Sequence, residues 1–176
     1  MAVTTIPTAG ITFNDNILFS ASSKGVYLGV TSVTAANLLD DYEEGTWTPA
    51  FDRNSSSLSS VSHSRQSGTY SKIGQTVIAF FDMVVDSYSG GGGDYVMKGL
   101  PFNSNMSDSN GGFSRSVIRA ATLMSSDFRI YGDNSFLSTN GDQLILKNYN
   151  SSGNEASVSP SSSGRLTGYV IYTTSS

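Results

Sequence analysis

The sequence predicts an all-β protein: an antiparallel β-sandwich of jelly-roll type with an extended N-terminal arm. Three observations lead there. Gly 18 in 176 residues, with many Ser and Asn, supplies turn formers that cut the chain into short pieces. An aromatic fraction of 11% supplies side chains that favour strands. Charged residues make up only 14%, so the surface rests on hydroxyl and amide groups, with no helical period between the apolar runs.

Residues 1–37 differ from the rest. Short apolar groups, Ile11-Thr12-Phe13 and Ile17-Leu18-Phe19, are separated by Asn, Asp, Ser and Gly. Such pieces hold too little apolar surface for a core of their own, so Ile6, Ile11, Phe13, Ile17, Leu18 and Phe19 should pack against a neighbour. This stretch reads as an arm, and residues 38–176 read as the sandwich. A short helix is expected over Thr34–Leu39, capped by Ser32 or Thr34 and stopped by Gly45.

Strands follow. Thr46–Phe51 comes first, then a Ser-rich loop over Ser55–Ser67, then Gly68–Ile73. Thr76–Asp86 is a nearly continuous β-branched and aromatic run and should lie centrally in a sheet. The Gly90–Gly93 run reads as a flexible turn before a short strand at Tyr95–Lys98. Further strands are expected at Ser116–Met124, Phe128–Tyr131, Gln143–Tyr149 and Leu166–Tyr172, with Asn140-Gly141-Asp142 forming a tight hairpin turn. About eight strands at this spacing point to a sandwich, and the absence of a fixed repeat disfavours a β-helix or propeller.

Composition narrows the chemistry. A net charge of -4, with ten scattered basic residues, argues against a nucleic-acid partner, whose phosphates need clustered Lys and Arg. Cys 0 removes disulfides, thiolate nucleophiles and Cys-ligated zinc. No stretch approaches the roughly 20 apolar residues that span a bilayer, so no membrane insertion is expected.

Asp40, Asp41, Glu43 and Glu44 form the densest acidic cluster. Hard oxygens at this spacing can hold Ca²⁺, but the cluster lacks the alternation and Gly of an EF-hand loop, and a solvated acidic segment is the better reading. Glycoside hydrolysis needs two carboxylates across a cleft, which nothing in the order of Asp82, Asp86, Asp94, Asp127 and Glu155 indicates. His63, the sole histidine, sits among Ser, Arg and Gln without a Gly-x-Ser-x-Gly elbow, and reads as a solvated loop imidazole. Gly90–Gly93 is followed by Asp94-Tyr95 rather than Gly-Lys-Ser/Thr, so it is no phosphate loop. Trp47 reads as core rather than as a sugar platform. No catalytic residue, metal or cofactor is assigned, and the chain is read as non-enzymatic. Tyr88, Tyr95, Tyr131 and Tyr149 are the candidate contacts for a glycan or a sister subunit, because tyrosine offers contact area at little entropic cost.

Leu39-Asp40-Asp41-Tyr42-Glu43-Glu44-Gly45-Thr46-Trp47-Thr48-Pro49 resembles a segment that recurs in bacteriophage tail-fibre and tailspike proteins, just before their distal β-domain. Gly68-Thr69-Tyr70-Ser71-Lys72-Ile73-Gly74 resembles the Gly-x-Tyr-x-Lys-Ile-Gly element of the same family, and Lys98-Gly99-Leu100-Pro101-Phe102 its Gly-Leu-Pro-Phe element. Ala9-Gly10-Ile11-Thr12-Phe13 is similar to the run-in of those fibres. The resemblance implies a β-sandwich that assembles as a homotrimer on the virion surface. Asp40, Asp41, Tyr42, Glu43, Glu44, Trp47 and Pro49 would then join arm to sandwich.

Two roles fit. In the first, the chain is a head cement or decoration protein whose arm grips the phage major capsid protein; the short stretch before the acidic segment is the expectation's main support. In the second, it is a tail-fibre or tailspike receptor-binding module for host cell-surface polysaccharide.

Overall fold

The computed structural model describes residues 25–27, 32, 38–39, 41–104, 115–121, 136–137, 141–149, 155–157 and 163–175. The described residues form an all-β structure with antiparallel pairing throughout and no helix. The chain divides into two compact units, Met1–Asp41 and Tyr42–Ser176, slightly beyond the arm boundary expected at residue 37.

In the first unit, β1 (Val26–Tyr27) pairs with β2 (Leu38–Leu39) as a two-stranded ribbon. The helix expected over Thr34–Leu39 is therefore corrected at its C-terminal end. Two Leu suit a helix or a strand equally, and here ladder bonds to Val26 and Tyr27 decide for the strand. Thr34–Asn37 lie outside the described residues, as do Ile6, Ile11, Phe13, Ile17, Leu18 and Phe19.

The second unit contains two larger sheets. One has five strands in the order β3 (Tyr42–Trp47), β5 (Ser60–Ile73), β6 (Thr76–Ser89), β13 (Gly164–Thr173), β8 (Arg115–Ala121). The other runs β4 (Ala50–Arg53), β7 (Tyr95–Lys98), β10 (Gln143–Ile145), β9 (Phe136–Leu137). A small ribbon pairs β11 (Lys147–Tyr149) with β12 (Glu155–Ser157).

Period-2 alternation builds the core. On β6, Val77, Ala79, Phe81, Met83 and Val85 are buried, while Thr76, Ile78, Phe80, Asp82 and Val84 occupy the other face. Leu166, Val170 and Tyr172 of β13 join the buried row. Phe51, Met97 and Leu144, from the three neighbouring strands β4, β7 and β10, complete the same cluster. Residues from both sheets thus share one hydrophobic core, the defining feature of layered β architecture.

Two expectations are corrected. Ser60–Ser67 is not loop but the first half of β5, which runs 14 residues to Ile73. It is polar on both faces, so no apolar period marks it; its extended form is imposed by pairing with β6. Seryl pairs line that region, with Ser60 Oγ 2.8 Å from Ser89 Oγ and Ser62 Oγ 2.8 Å from Ser87 Oγ. The run Gln143–Tyr149 is divided at Leu146 into β10 and β11, although the Leu146 N–H still donates to Tyr95 O at 2.9 Å, the next position in the β7–β10 register. β9 and β10 pair antiparallel on either side of the turn expected at Asn140-Gly141-Asp142, of which Asn140 lies outside the described residues. Phe128–Tyr131 lies outside the described residues.

Candidate functional site

The three segments that carry the phage-fibre resemblance meet in space. On β3, Glu43, Gly45 and Trp47 share one face, and they stand opposite Lys72, Tyr70 and Gly68 of β5. Each aromatic ring covers a glycine on the facing strand. A Cβ on Gly68 would lie 2.4 Å from Trp47 Nε1, and one on Gly45 would lie 2.8 Å from the Tyr70 hydroxyl oxygen. Nothing larger than glycine leaves room for these rings, which explains both Gly-Thr-Trp and Gly-Thr-Tyr.

Trp47 is buried, and its indole N–H donates to the Phe80 carbonyl at 3.0 Å, tying β3 across β5 to β6. Its ring meets Phe81 edge-on with centroids 6.4 Å apart. The Tyr70 hydroxyl donates to the Glu43 carboxylate, a hydrogen bond that pushes the phenol's pKa above its ordinary value. Gly74, with φ +55, makes the turn from β5 into β6 that a β-branched residue would resist.

The Gly-Leu-Pro-Phe element closes this corner from the other side. The Phe102 ring meets Tyr70 edge-on at 5.3 Å, and the buried Lys72 ammonium lies 5.6 Å from the same ring. Tyr172 Oη donates to the Phe102 carbonyl at 3.0 Å and accepts the Phe102 N–H at 3.2 Å. Burial pushes the Tyr172 pKa up, which suits a neutral structural hydroxyl. Gly99, with φ +83, passes beneath the Thr48 carbonyl, where a Cβ would come within 2.7 Å.

The Asp40–Pro49 segment is accordingly divided. Asp40 lies outside the described residues, and Asp41 is half-buried. Tyr42 donates to Glu44 at 2.7 Å on the opposite face from Glu43. Successive carboxylates on a strand point apart, so Glu43 and Glu44 do not converge on one ion. Among the described residues, no group of three or more His, Asp or Glu converges as a metal-binding set. Pro49 is buried, and its carbonyl accepts from Gln66 Nε2 at 2.8 Å.

No protein-family model, no curated protein and no solved structure matches the chain. The resemblance therefore rests on the three motifs and their order.

The candidate contact tyrosines divide as well. Tyr88 and Tyr95 are half-buried and pack with Phe51, whose ring stacks on Tyr95 and meets Tyr88 edge-on, both at 5.2 Å. Burial, followed by the hydrogen bond to Tyr95, pushes the Tyr88 pKa up. Arg53 lies 4.4 Å over the Tyr95 ring, and its Nη2 donates to the Gly93 carbonyl at 2.6 Å. That bond and the Gly92 N–H to Ser56 O contact of 3.0 Å tie the glycine run to residues 53–58. The expected flexible turn is thus a hydrogen-bonded one. Tyr131 is outside the described residues, and Tyr149 is placed on β11.

His63 corrects another expectation. It sits within β5 at a bulge facing β6, half-buried, and its Nε2 accepts the Phe51 N–H at 3.4 Å. Burial lowers its pKa, against the opposing charge of Asp86.

Sequence reasoning missed the outward face of the five-stranded sheet. Phe80 is 52% exposed at its middle, tilted against Tyr169 at 5.7 Å. A shallow groove of about 410 Å³, lined by Glu44, Thr46, Thr69, Ser71 and Phe80 among others, runs beside it. Further along, Asp82 takes Arg165 through two bonds of 2.7 Å and Arg65 Nε at 2.6 Å. Arg165 above all holds the Asp82 carboxyl below its ordinary pKa. The signal was present in the alternation of Thr76–Val85, whose second row contains Ile78, Phe80 and Val84.

Proposed function

We propose that this chain is a non-enzymatic structural protein of the bacteriophage virion surface: a homotrimeric head cement protein with a jelly-roll type sandwich. The observation that carries the reading is the corner where the Gly-Thr-Trp, Gly-Thr-Tyr and Gly-Leu-Pro-Phe segments interlock. Their residues are spent on packing and on tying strands, as befits a fold built for mechanical work. In this reading residues 1–37 are the arm, gripping the major capsid protein through many modest contacts that symmetry makes additive.

Deleting Met1–Ala36 is expected to abolish binding to phage heads while the sandwich unit stays folded. Cosedimentation with heads and far-UV circular dichroism read the two outcomes. An arm-less chain that still decorates heads would refute the arm's role.

The second reading, a tail receptor-binding module, draws on the groove beside Phe80, where an exposed ring lies among hydroxyls and the Glu44 carboxylate. Such a site suits a sugar face. Counting copies per virion separates the readings: hundreds mean cement, and a handful means tail.

A further inference from the structure

β4 is the margin of its sheet: among the described strands it has β7 on one side and none on the other. An open edge leaves backbone donors and acceptors unpaired, yet here side chains close it. The Pro49 carbonyl just before β4 accepts from Gln66 Nε2 at 2.8 Å, and the Phe51 N–H donates to His63 Nε2 at 3.4 Å. Both side chains come from β5 of the other sheet, so two residues do along this edge what a neighbouring strand would do.

Only one of the two responds to pH. The Gln66 amide keeps its donors throughout, whereas His63 Nε2 accepts only while the imidazole is neutral, with its proton on Nδ1. The imidazolium has N–H groups on both nitrogens and sets a donor against the Phe51 N–H. Phe51 cannot move to relieve this: its ring is 1% exposed, 5.2 Å from both Tyr88 and Tyr95, and β4 stays paired with β7. His63 can. It is half-buried and sits at the register shifts between Ser62 and Arg65, where the bulge frees its side chain from a strict cross-strand position.

The surrounding charges leave the imidazole as the responsive group. On β4, Asp52 is held by Lys98 of β7 at 2.7 Å, and Arg53 donates to the Gly93 carbonyl. On β5, Arg65 is taken by Asp82. From β6, Asp86, which accepts from Ser64 Oγ at 2.8 Å, favours the imidazolium, but burial opposes it more strongly, so His63 is neutral at neutral pH and charges below its ordinary value of 6.5. We infer that His63 is an acid-released cap: on protonation its side chain leaves the Phe51 N–H and uncovers the edge of β4, while both sheets stay folded.

Amide hydrogen exchange of the full chain, resolved by residue and corrected for the intrinsic effect of pH, reads the cap. The Phe51 amide is expected to lose protection several-fold between about pH 7.5 and about pH 5, while the Val77 and Phe81 amides at the centre of the other sheet keep theirs. In His63→Gln, whose amide oxygen accepts at either pH, Phe51 protection should stay level. Asp86→Asn, which removes the charge favouring the imidazolium, should move the loss to lower pH. Level protection in the wild-type chain, or an equal loss in His63→Gln, would overturn the cap. So would a loss shared by Val77 and Phe81, which would mean that acid unfolds the sheets rather than uncovering one edge.

Discussion

The two halves of the β5–β6 hairpin are the same pair of strands held by different chemistry. Near the turn, Gly68–Ile73 faces Thr76–Phe81, and aromatic rings seated on glycines, a buried lysine and an indole bond lock the strands to their neighbours. Away from the turn, Ser60–Arg65 faces Val84–Ser89 through hydroxyl pairs, a bulge and a half-buried imidazole. The comparison teaches that strand length and strand stability are separate properties. Hydrogen-bonded ladders continue through both halves, but β5 has buried positions, Gly68 and Lys72, only in the near half, whereas burial in the far half comes from β6 alone, at Val85.

The sharpest break should come at Trp47. Trp47→Ala is expected to cost about 3–5 kcal/mol, as for other large buried aromatics, read from urea unfolding. Gly68→Ala alone, with its Cβ forced against the indole, should cost about 1–3 kcal/mol. In the Trp47→Ala background the same change should cost much less, a coupling that a double-mutant cycle measures directly. Additive costs would show that ring and glycine do not act as a pair.

Acid should loosen the far half and the neighbouring sheet in two steps. The His63 pKa lies below 6.5 in the folded chain. Its neutral form is therefore favoured by folding, and stability declines as pH falls from about 6.5 through the lower folded value. Asp52 is partly desolvated, which alone would raise its pKa. The Lys98 ammonium at 2.7 Å and backbone N–H donors outweigh that and bring it to about 2. Its contribution is complete above the unfolded value near 3.8 and is lost as pH falls through about 2. After solvent screening it amounts to about 1 kcal/mol. Denaturant midpoints recorded from pH 8 to pH 2 should show both steps; His63→Gln should remove the upper one, and Asp52→Asn the lower.

The smallest effect belongs to the seryl pairs. Ser62→Ala with Ser87→Ala should change stability by no more than about 0.5 kcal/mol, because water replaces the exposed hydroxyl bond. A loss comparable to that at Gly68 would erase the distinction between the halves.

This same distinction explains what was legible in the sequence. Thr76–Asp86, Tyr95–Lys98 and Leu166–Tyr172 announce themselves because one row of each is apolar, and burial enforces that row. Ser60–Ser67 had no such row, so its strand character is visible only with β6 beside it. Leu38–Leu39 offered too few residues for any period to show. At the corner, Trp47 was recognisable as core. Its glycine partner, and the meeting of Tyr70 and Lys72 with Phe102 some 30 residues later in the chain, depend on a register that no local pattern encodes. Phe80 was hidden for the opposite reason: an apolar residue in an apolar run is assumed to point inward.

Trp47 is the only tryptophan in the chain, and its indole is sequestered where three segments interlock. Near-ultraviolet excitation selective for indole therefore interrogates this corner and nothing else. Its emission should lie well to the blue of free tryptophan, resist collisional quenching by iodide, and shift red when the corner opens. The chain thus carries its own optical gauge for this corner of the β-structure, readable without a label.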